Sequence, residues 1–194
     1  DPGPDGFTMD FFHHCWDIIR KDVWEVVEES HTSGQVLQAF NATFLTLIPK
    51  EEWVTNPKHF RPIALCNVIY KIITKVIANR LKPILPLIIS QEQAGYVEGK
   101  KIMDSFILAH EVISSLKTEK IPGMLIKLDL SKAFDKAKWF YLKATLPAFG
   151  FDHTWVNWIL NLTSSAFFSI LVNEVPSQPF SASRGIRQGY PFRP

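Results

Sequence analysis

Met124-Leu125-Ile126-Lys127-Leu128-Asp129-Leu130-Ser131-Lys132-Ala133-Phe134-Asp135 sets two carboxylates and an aromatic ring in a run otherwise fit for burial. Met124, Leu125, Ile126, Leu128 and Leu130 give the pattern of a short buried strand, and Ser131-Lys132 reads as its exit into a helix. Asp129 then falls near the C-terminal end of the strand. A carboxylate held there by rigid backbone and open to a cleft suits Mg²⁺, which takes oxygen ligands in near-octahedral geometry and completes them with water and phosphates. The other reading is that Asp129 or Ser131 caps the following helix, whose apolar face is Trp139, Leu142, Leu146 and Phe149. Spacing alone leaves both open.

The chain of 194 residues is 46% apolar and 13% aromatic, enough for one domain with a real core. Its formal charge of +2 does not announce a nucleic-acid binder, so any such role rests on where the basic residues lie. Cys15 and Cys66 form no CxxC pair and no metal spacing, so buried thiols in a reduced compartment are the default reading and a disulfide framework is not expected. With no run of about eighteen apolar residues and no basic-then-apolar leader, neither a membrane span nor a signal peptide is expected. Asn41-Ala42-Thr43 and Asn161-Leu162-Thr163 match the glycosylation pattern, which carries little without secretion. The opening Asp1-Pro2-Gly3 and the closing Phe192-Arg193-Pro194 read as the edges of a piece of something longer.

Along the chain, Thr8 is placed to cap a helix with face Phe12, Trp16, Ile19, Val23 and Val26 or Val27, which Ser33-Gly34 ends. Residues 42–48 alternate as a strand closed by Pro49, 51–59 form a loop, and 60–65 run extended into a helix over about 67–81. That helix has a broad apolar face, Val68, Ile69, Ile72, Ile73, Val76, Ile77 and Leu81. Lys71, Lys75 and Lys82 share its opposite stripe, either a solvated face or a contact to a nucleic-acid backbone. Pro83 and Pro86 break the helix, 90–101 is a loop, and Asp104 caps a helix with Phe106, Ile107, His110, Ile113 and Leu116 inward. His110 has no partner at metal spacing and reads as a core residue. Gly150 stops the helix that starts at Trp139, and Asp152 caps another carrying Trp155, Ile159 and Leu162. Trp16, Trp139 and Trp155 are expected in the core, and 167–172 and 179–183 as strands around an Asn173-Glu174 turn. The class is α+β.

Several motifs carry a resemblance. Leu128-Asp129-Leu130-Ser131-Lys132-Ala133-Phe134-Asp135 resembles the first palm motif of reverse transcriptases, and Ser183-Arg184-Gly185-Ile186-Arg187-Gln188-Gly189 the second. Pro2-Gly3-Pro4-Asp5-Gly6-Phe7, Leu47-Ile48-Pro49-Lys50 and residues 60–81 are similar to fingers signatures of non-LTR (LINE-type) retrotransposon enzymes, especially those of plants, as are Gln93, Gly95, Val97, Gly99 and Asp104. Glu98 and Lys100 depart from the usual Pro-Gly-Arg, Tyr190 from the usual Asp, Phe192-Arg193-Pro194 from Leu-Ser-Pro, and Lys138 stands in place of an acid.

The resemblance implies a right-hand polymerase fold, incomplete here: fingers over about 1–119, and the first part of the palm, with interleaved fingers elements, over about 120–194. It implies RNA-templated DNA synthesis on a DNA primer from deoxynucleoside triphosphates with Mg²⁺, or Mn²⁺ in its place, inside the cell, nuclear or cytoplasmic, and away from membranes. Asp129 and the Leu130 carbonyl become metal ligands and Asp129 the catalytic carboxylate. Arg61, Lys50, Leu130, Phe134, Gln188 and Gly189 become substrate contacts, Phe134 as the ring under the incoming sugar that a ribose 2′-hydroxyl would meet. Asp135 is a helix-start acid that orients the site. Lys71, Lys75, Lys82, Arg184 and Arg187 become nucleic-acid contacts. Bare of the resemblance, Phe134 reads as core and the arginine-bearing Gly turn as a plain loop.

Two-metal transfer needs more than one carboxylate position. The family's second metal motif, an aromatic-Ala-Asp-Asp hairpin, lies downstream of these motifs, and no Asp-Asp pair occurs in this sequence, so the chain by itself is expected to be inactive. The alternatives are a non-catalytic nucleic-acid-binding or maturase-like remnant and an inert pseudogene product.

Overall fold

The computed structural model describes residues 2–130 and 132–187. They divide into two compact units, residues 2–74 with 132–187 and residues 75–130.

In the first unit, the Thr8 hydroxyl accepts from the Phe11 amide and starts α1 (Met9–His14). Cys15 breaks the helix at φ −94° and ψ 7°, and α2 (Trp16–Ser33) follows, ended by Gly34 in the left-handed region. One buried stripe still runs through both helices, because Phe12, Cys15, Ile19, Val23 and Val27 follow at spacings of three and four and Phe12, Ile19 and Val23 pack together. Phe12, Val23 and Val27 are buried as the spacing predicts, but Trp16, rotated off the stripe at the first position of α2, is exposed. β1 (Ala42–Pro49) pairs antiparallel with β2 (Phe60–Cys66), from Thr43 opposite Cys66 to Pro49 opposite Phe60. Their connection includes a 3₁₀ turn at Pro57–His59, with Asn56 accepting from the Lys58 amide.

α3 (Val68–Leu81) leaves β2 directly, its Val68, Tyr70, Ile73 and Ile77 almost wholly buried. After α6 (Ala133–Lys136), α7 (Trp139–Ala148) ends before Gly150, whose φ of 87° only glycine holds without strain, and Asp152 caps α8 (His153–Ser164) through the Thr154 amide. β3 (Phe167–Val172) lies parallel to β1. Asn173 and Glu174, both at positive φ, turn the chain into β4 (Val175–Pro176), a mirror-type hairpin turn that suits the strand twist. β5 (Phe180–Ser181) pairs with the start of β3, so β4 and β5 share the edge of β3 that β1 leaves open. The sheet order is β2-β1-β3-β4.

Trp158, rather than Trp155, is the central tryptophan: it is fully buried, and its Nε1 donates to Ser30 Oγ at 3.2 Å. Polar side chains knit this core. Asn41, fully buried, donates to Ser165 Oγ at 2.6 Å and to the Leu162 carbonyl at 3.2 Å, so the glycosylation pattern there sits where no glycan fits. Asn67 donates to the Ala39 carbonyl and accepts from the Asp5 amide, holding the N-terminal turn against the start of α3. Gly3 is needed for that approach, because a Cβ there would stand 2.6 Å from Asn67 Cα.

The second unit continues along α3 and adds α4 (Leu85–Ile88) and α5 (Ile102–Thr118). Lys101, not Asp104, is the cap position of α5. Asp104 sits inside the first turn, where a negative charge favours the helix dipole. Of its expected inward face only Ile113 and Leu116 are half-buried, while Phe106, Ile107 and His110 are exposed. The apolar side borders a groove of about 940 Å³, lined by Leu108, Val112, Leu116, Met124 and Leu125 among others. Residues 121–130 do not form the expected strand. Leu128 is 86% and Leu130 80% exposed, and no strand among the described residues pairs with this run. An apolar run becomes a strand only with a neighbour for its amides and carbonyls and a cover for its side chains.

No helix among the described residues is long and apolar enough to cross a membrane.

Candidate nucleotide and nucleic-acid site

Within the first unit, residues 134–139 meet residues 185–186, each from a stretch that resembles a palm motif. Lys132 takes a left-handed φ of 57° and starts the single turn of α6, which carries Phe134 and Asp135. Residues 184–187 lie along it: the Gly185 amide donates to the Ala137 carbonyl at 2.7 Å, the Ile186 amide to the Phe134 carbonyl at 2.9 Å, and Trp139 Nε1 to the Gly185 carbonyl at 2.8 Å. The glycine is required twice over, since its φ is 98° and a Cβ would sit 3.2 Å from the Asp135 carbonyl oxygen. A cavity of about 170 Å³ opens beside this seam, bordered by Asp135, Trp139, Phe168, Phe180, Arg184 and Arg187. The Phe134 side is partly open to solvent, 44% exposed, so it is not a core ring.

Arg187 departs from the expected phosphate contact. Its guanidinium turns inward, bonds Asn41 Oδ1, lies 4.3 Å from the Tyr70 ring centroid and 5.3 Å from that of Phe168, and reaches Cys66 Sγ at 3.8 Å. The planar fork finds an amide acceptor and two aromatic faces, a combination that a surface phosphate would have to displace. Its Nε is buried with no hydrogen-bond partner among the described residues. Tyr70 donates to the Leu162 carbonyl at 3.2 Å, and burial pushes its hydroxyl far above the ordinary tyrosine value, against the pull of the Arg187 charge. Arg184, by contrast, is exposed. Gln188 and Gly189 lie outside the described residues.

The β1–β2 pairing gathers Lys50 and Arg61 at one end of the sheet. Arg61 stands opposite Ile48, the Lys50 amide bonds the His59 carbonyl at 2.8 Å, and both side chains are exposed. Lys50 Nζ also reaches the Lys58 carbonyl at 3.2 Å. In the lysine stripe, Lys71 is half-buried and Lys75 exposed, whereas Lys82 pairs with Glu98 at 2.8 Å. Glu98 and Lys100, two of the departures from the family pattern, thus both act locally, because Lys100 Nζ bonds the Ser90 and Gln91 carbonyls.

Asp129 and Leu130 are exposed, and Asp129 caps no helix. A carboxylate and a carbonyl are hard oxygen donors of the kind Mg²⁺ takes, but they do not close a site: no group of three or more His, Cys, Asp or Glu able to hold a metal occurs among the described residues. Sequence reasoning missed Asn41, Tyr70 and Cys66 as partners of Arg187. An Asn just before a strand and a Tyr on an apolar helix face carry no spacing signal that links them.

Comparison with known proteins gives the family. Residues 48–194 match the family described as reverse transcriptase (RNA-dependent DNA polymerase). Over 191 residues the chain is 32% identical to the transposon TX1 uncharacterized 149 kDa protein of Xenopus laevis, covering 98% of this chain and 15% of that protein. It is 27% identical to the Pol polyprotein of the type-1 retrotransposable element R2 of Popillia japonica, covering 100% of this chain and 26% of the relative. To the R2DM polyprotein of Drosophila melanogaster it is 24% identical, covering 100% and 18%. The chain therefore spans roughly a sixth to a quarter of the length of these relatives. The relatives are proteins of non-LTR retrotransposons, in keeping with the motifs, and the chain belongs to the reverse transcriptase family.

Proposed function

We propose that the chain is the fingers and first palm portion of an RNA-directed DNA polymerase of a non-LTR retrotransposon, with fingers over about 1–119 and palm over about 120–194. The observation that supports it best is the seam in which the Gly185 and Ile186 amides bond the Ala137 and Phe134 carbonyls, because it joins the two motif stretches that a nucleotide would touch. In this reading Arg61 and Lys50 meet the triphosphate, Phe134 faces the incoming sugar, and Gln188 and Gly189 lie toward the nascent base pair. Arg184 and the Lys71, Lys75 and Lys82 stripe approach the backbone of an RNA template and DNA primer. Asp129 and the Leu130 carbonyl would hold Mg²⁺, whose chemistry is to activate the attacking primer oxygen and steady the leaving phosphate. One carboxylate position does not hold two ions, so the chain alone does not polymerise.

Binding of an RNA/DNA hybrid by the 194-residue chain, followed against salt, tests the reading. Each lysine that touches a phosphate contributes about one unit to the slope of log K against log salt. The Lys71→Ala, Lys75→Ala, Lys82→Ala triple variant should show a shallower slope than the parent. An unchanged slope makes the stripe a solvated face and removes it from the interface.

A further inference from the structure

We infer that Arg187 is a positioning residue that anchors the second palm-like motif to the sheet, and not a contact to nucleic acid. The inference rests on the polymerase reading for its functional meaning, since Gln188 and Gly189, the residues assigned to the template side, follow Arg187 directly. The anchoring itself rests on geometry. Arg187 reaches four separate parts of the fold: Asn41 before β1, Cys66 at the end of β2, Tyr70 on α3 and Phe168 on β3. Just before it, the Gly185 and Ile186 amides are fixed to the carbonyls of residues 137 and 134. The backbone is thus pinned to the first motif on one side and, through the guanidinium, to the sheet on the other.

The chemistry is specific to arginine. A guanidinium presents a flat face to each ring and an N–H fork to the Asn41 oxygen, while a lysine ammonium offers a point charge that burial disfavours. Asn41 is itself held by Ser165 and the Leu162 carbonyl, so groups other than the arginine orient the acceptor. Among the described residues the groups that meet the charge are the Asn41 amide oxygen and the Tyr70 and Phe168 rings.

The test is amide hydrogen exchange on the 194-residue chain, with Arg187→Met, Arg187→Lys and the milder Phe168→Leu. Anchoring predicts that exchange at Gly185 and Ile186 quickens tenfold or more in Arg187→Met, and several-fold in Phe168→Leu, relative to the β1–β2 ladder amides of the same variant. Lysine should not restore the parent rate. Uniform quickening across both regions, or none at Gly185 and Ile186, overturns the anchor. Hybrid binding supplies the second arm. Arg187→Met should keep the salt slope of the parent while Arg184→Met loses about one unit, and an equal loss in both would make Arg187 a phosphate contact. If the parent binds no hybrid at all, the polymerase reading falls, while the exchange comparison still decides the anchor.

Discussion

Substituting Gly185 with alanine probes the seam between the two motifs, and Gly6→Ala in the same unit provides the control. Both glycines hold positive φ, 98° and 77°, so each alanine meets left-handed strain of about 1–2 kcal/mol. They differ in surroundings. Nothing lies within 4 Å of a Cβ at Gly6, whereas at Gly185 it would meet the Asp135 carbonyl oxygen at 3.2 Å and the Phe134 carbonyl oxygen at 3.4 Å. Those are backbone atoms of the turn that the seam bonds, so they cannot swing aside as a side-chain end can. Relief requires residues 184–187 to lift, stretching the Gly185 and Ile186 hydrogen bonds, at a further cost of about 1 kcal/mol. With a urea m-value of about 2 kcal/mol/M, the unfolding midpoint of Gly185→Ala should fall roughly 0.5 M further than that of Gly6→Ala, at unchanged m. Equal midpoints for the two variants would refute the seating of residues 184–187 on 134–137.

Gly3→Ala should cost about 2–3 kcal/mol in the same assay, because its Cβ would overlap the Asn67 backbone and force the 3–6 turn off α3; a shift no larger than that of Gly6→Ala would contradict this packing. The Asp152 carboxyl is held below its ordinary value of 3.8 by the Thr154 amide, so its stabilisation is full above that value and is lost as the pH falls through the lower folded one; Asp152→Asn should flatten this part of an acid titration of stability. Burial raises Tyr70 above its ordinary 10.0, so stability should fall as the pH rises beyond 10.0, and Tyr70→Phe should remove that slope while Asn41 still serves the Leu162 carbonyl. Glu98→Gln should change stability by less than about 1 kcal/mol, since the pair with Lys82 is largely exposed, yet steepen the salt dependence of hybrid binding if Lys82 then reaches a phosphate.

The elements legible in the sequence were those with local causes. Thr8 and Asp152 cap through their own side chains, Gly34 and Gly150 end helices by conformation, and β1 to α3 follow from alternation and periodicity within one short segment. Where the outcome depended on a distant partner, the pattern misled. Residues 124–130 have the composition of a buried strand but no pairing strand among the described residues, and the α5 face borders a groove instead of a packed layer. Trp16 falls outside the expected core because the stripe through α1 and α2 passes over Cys15 and Ile19 beside it, and on α8 Trp158 is buried instead of Trp155 because it meets Ser30 of the distant α2. At the site, the meeting of 134–139 with 184–187 was implied by the resemblance alone, and the inward turn of Arg187 was hidden because its partners come from four separate stretches of the chain.

Primer extension on an RNA template with Mg²⁺ tests the central claim most directly, comparing the 194-residue chain, the chain fused to an intact downstream palm and thumb, and the fusion carrying Asp129→Asn or Tyr190→Asp. The account predicts no extension by the chain alone, extension by the fusion or by its Tyr190→Asp form, and loss of several orders of magnitude with Asp129→Asn. Extension by the chain alone that Asp129→Asn abolishes, or a fusion whose activity survives Asp129→Asn, would contradict it.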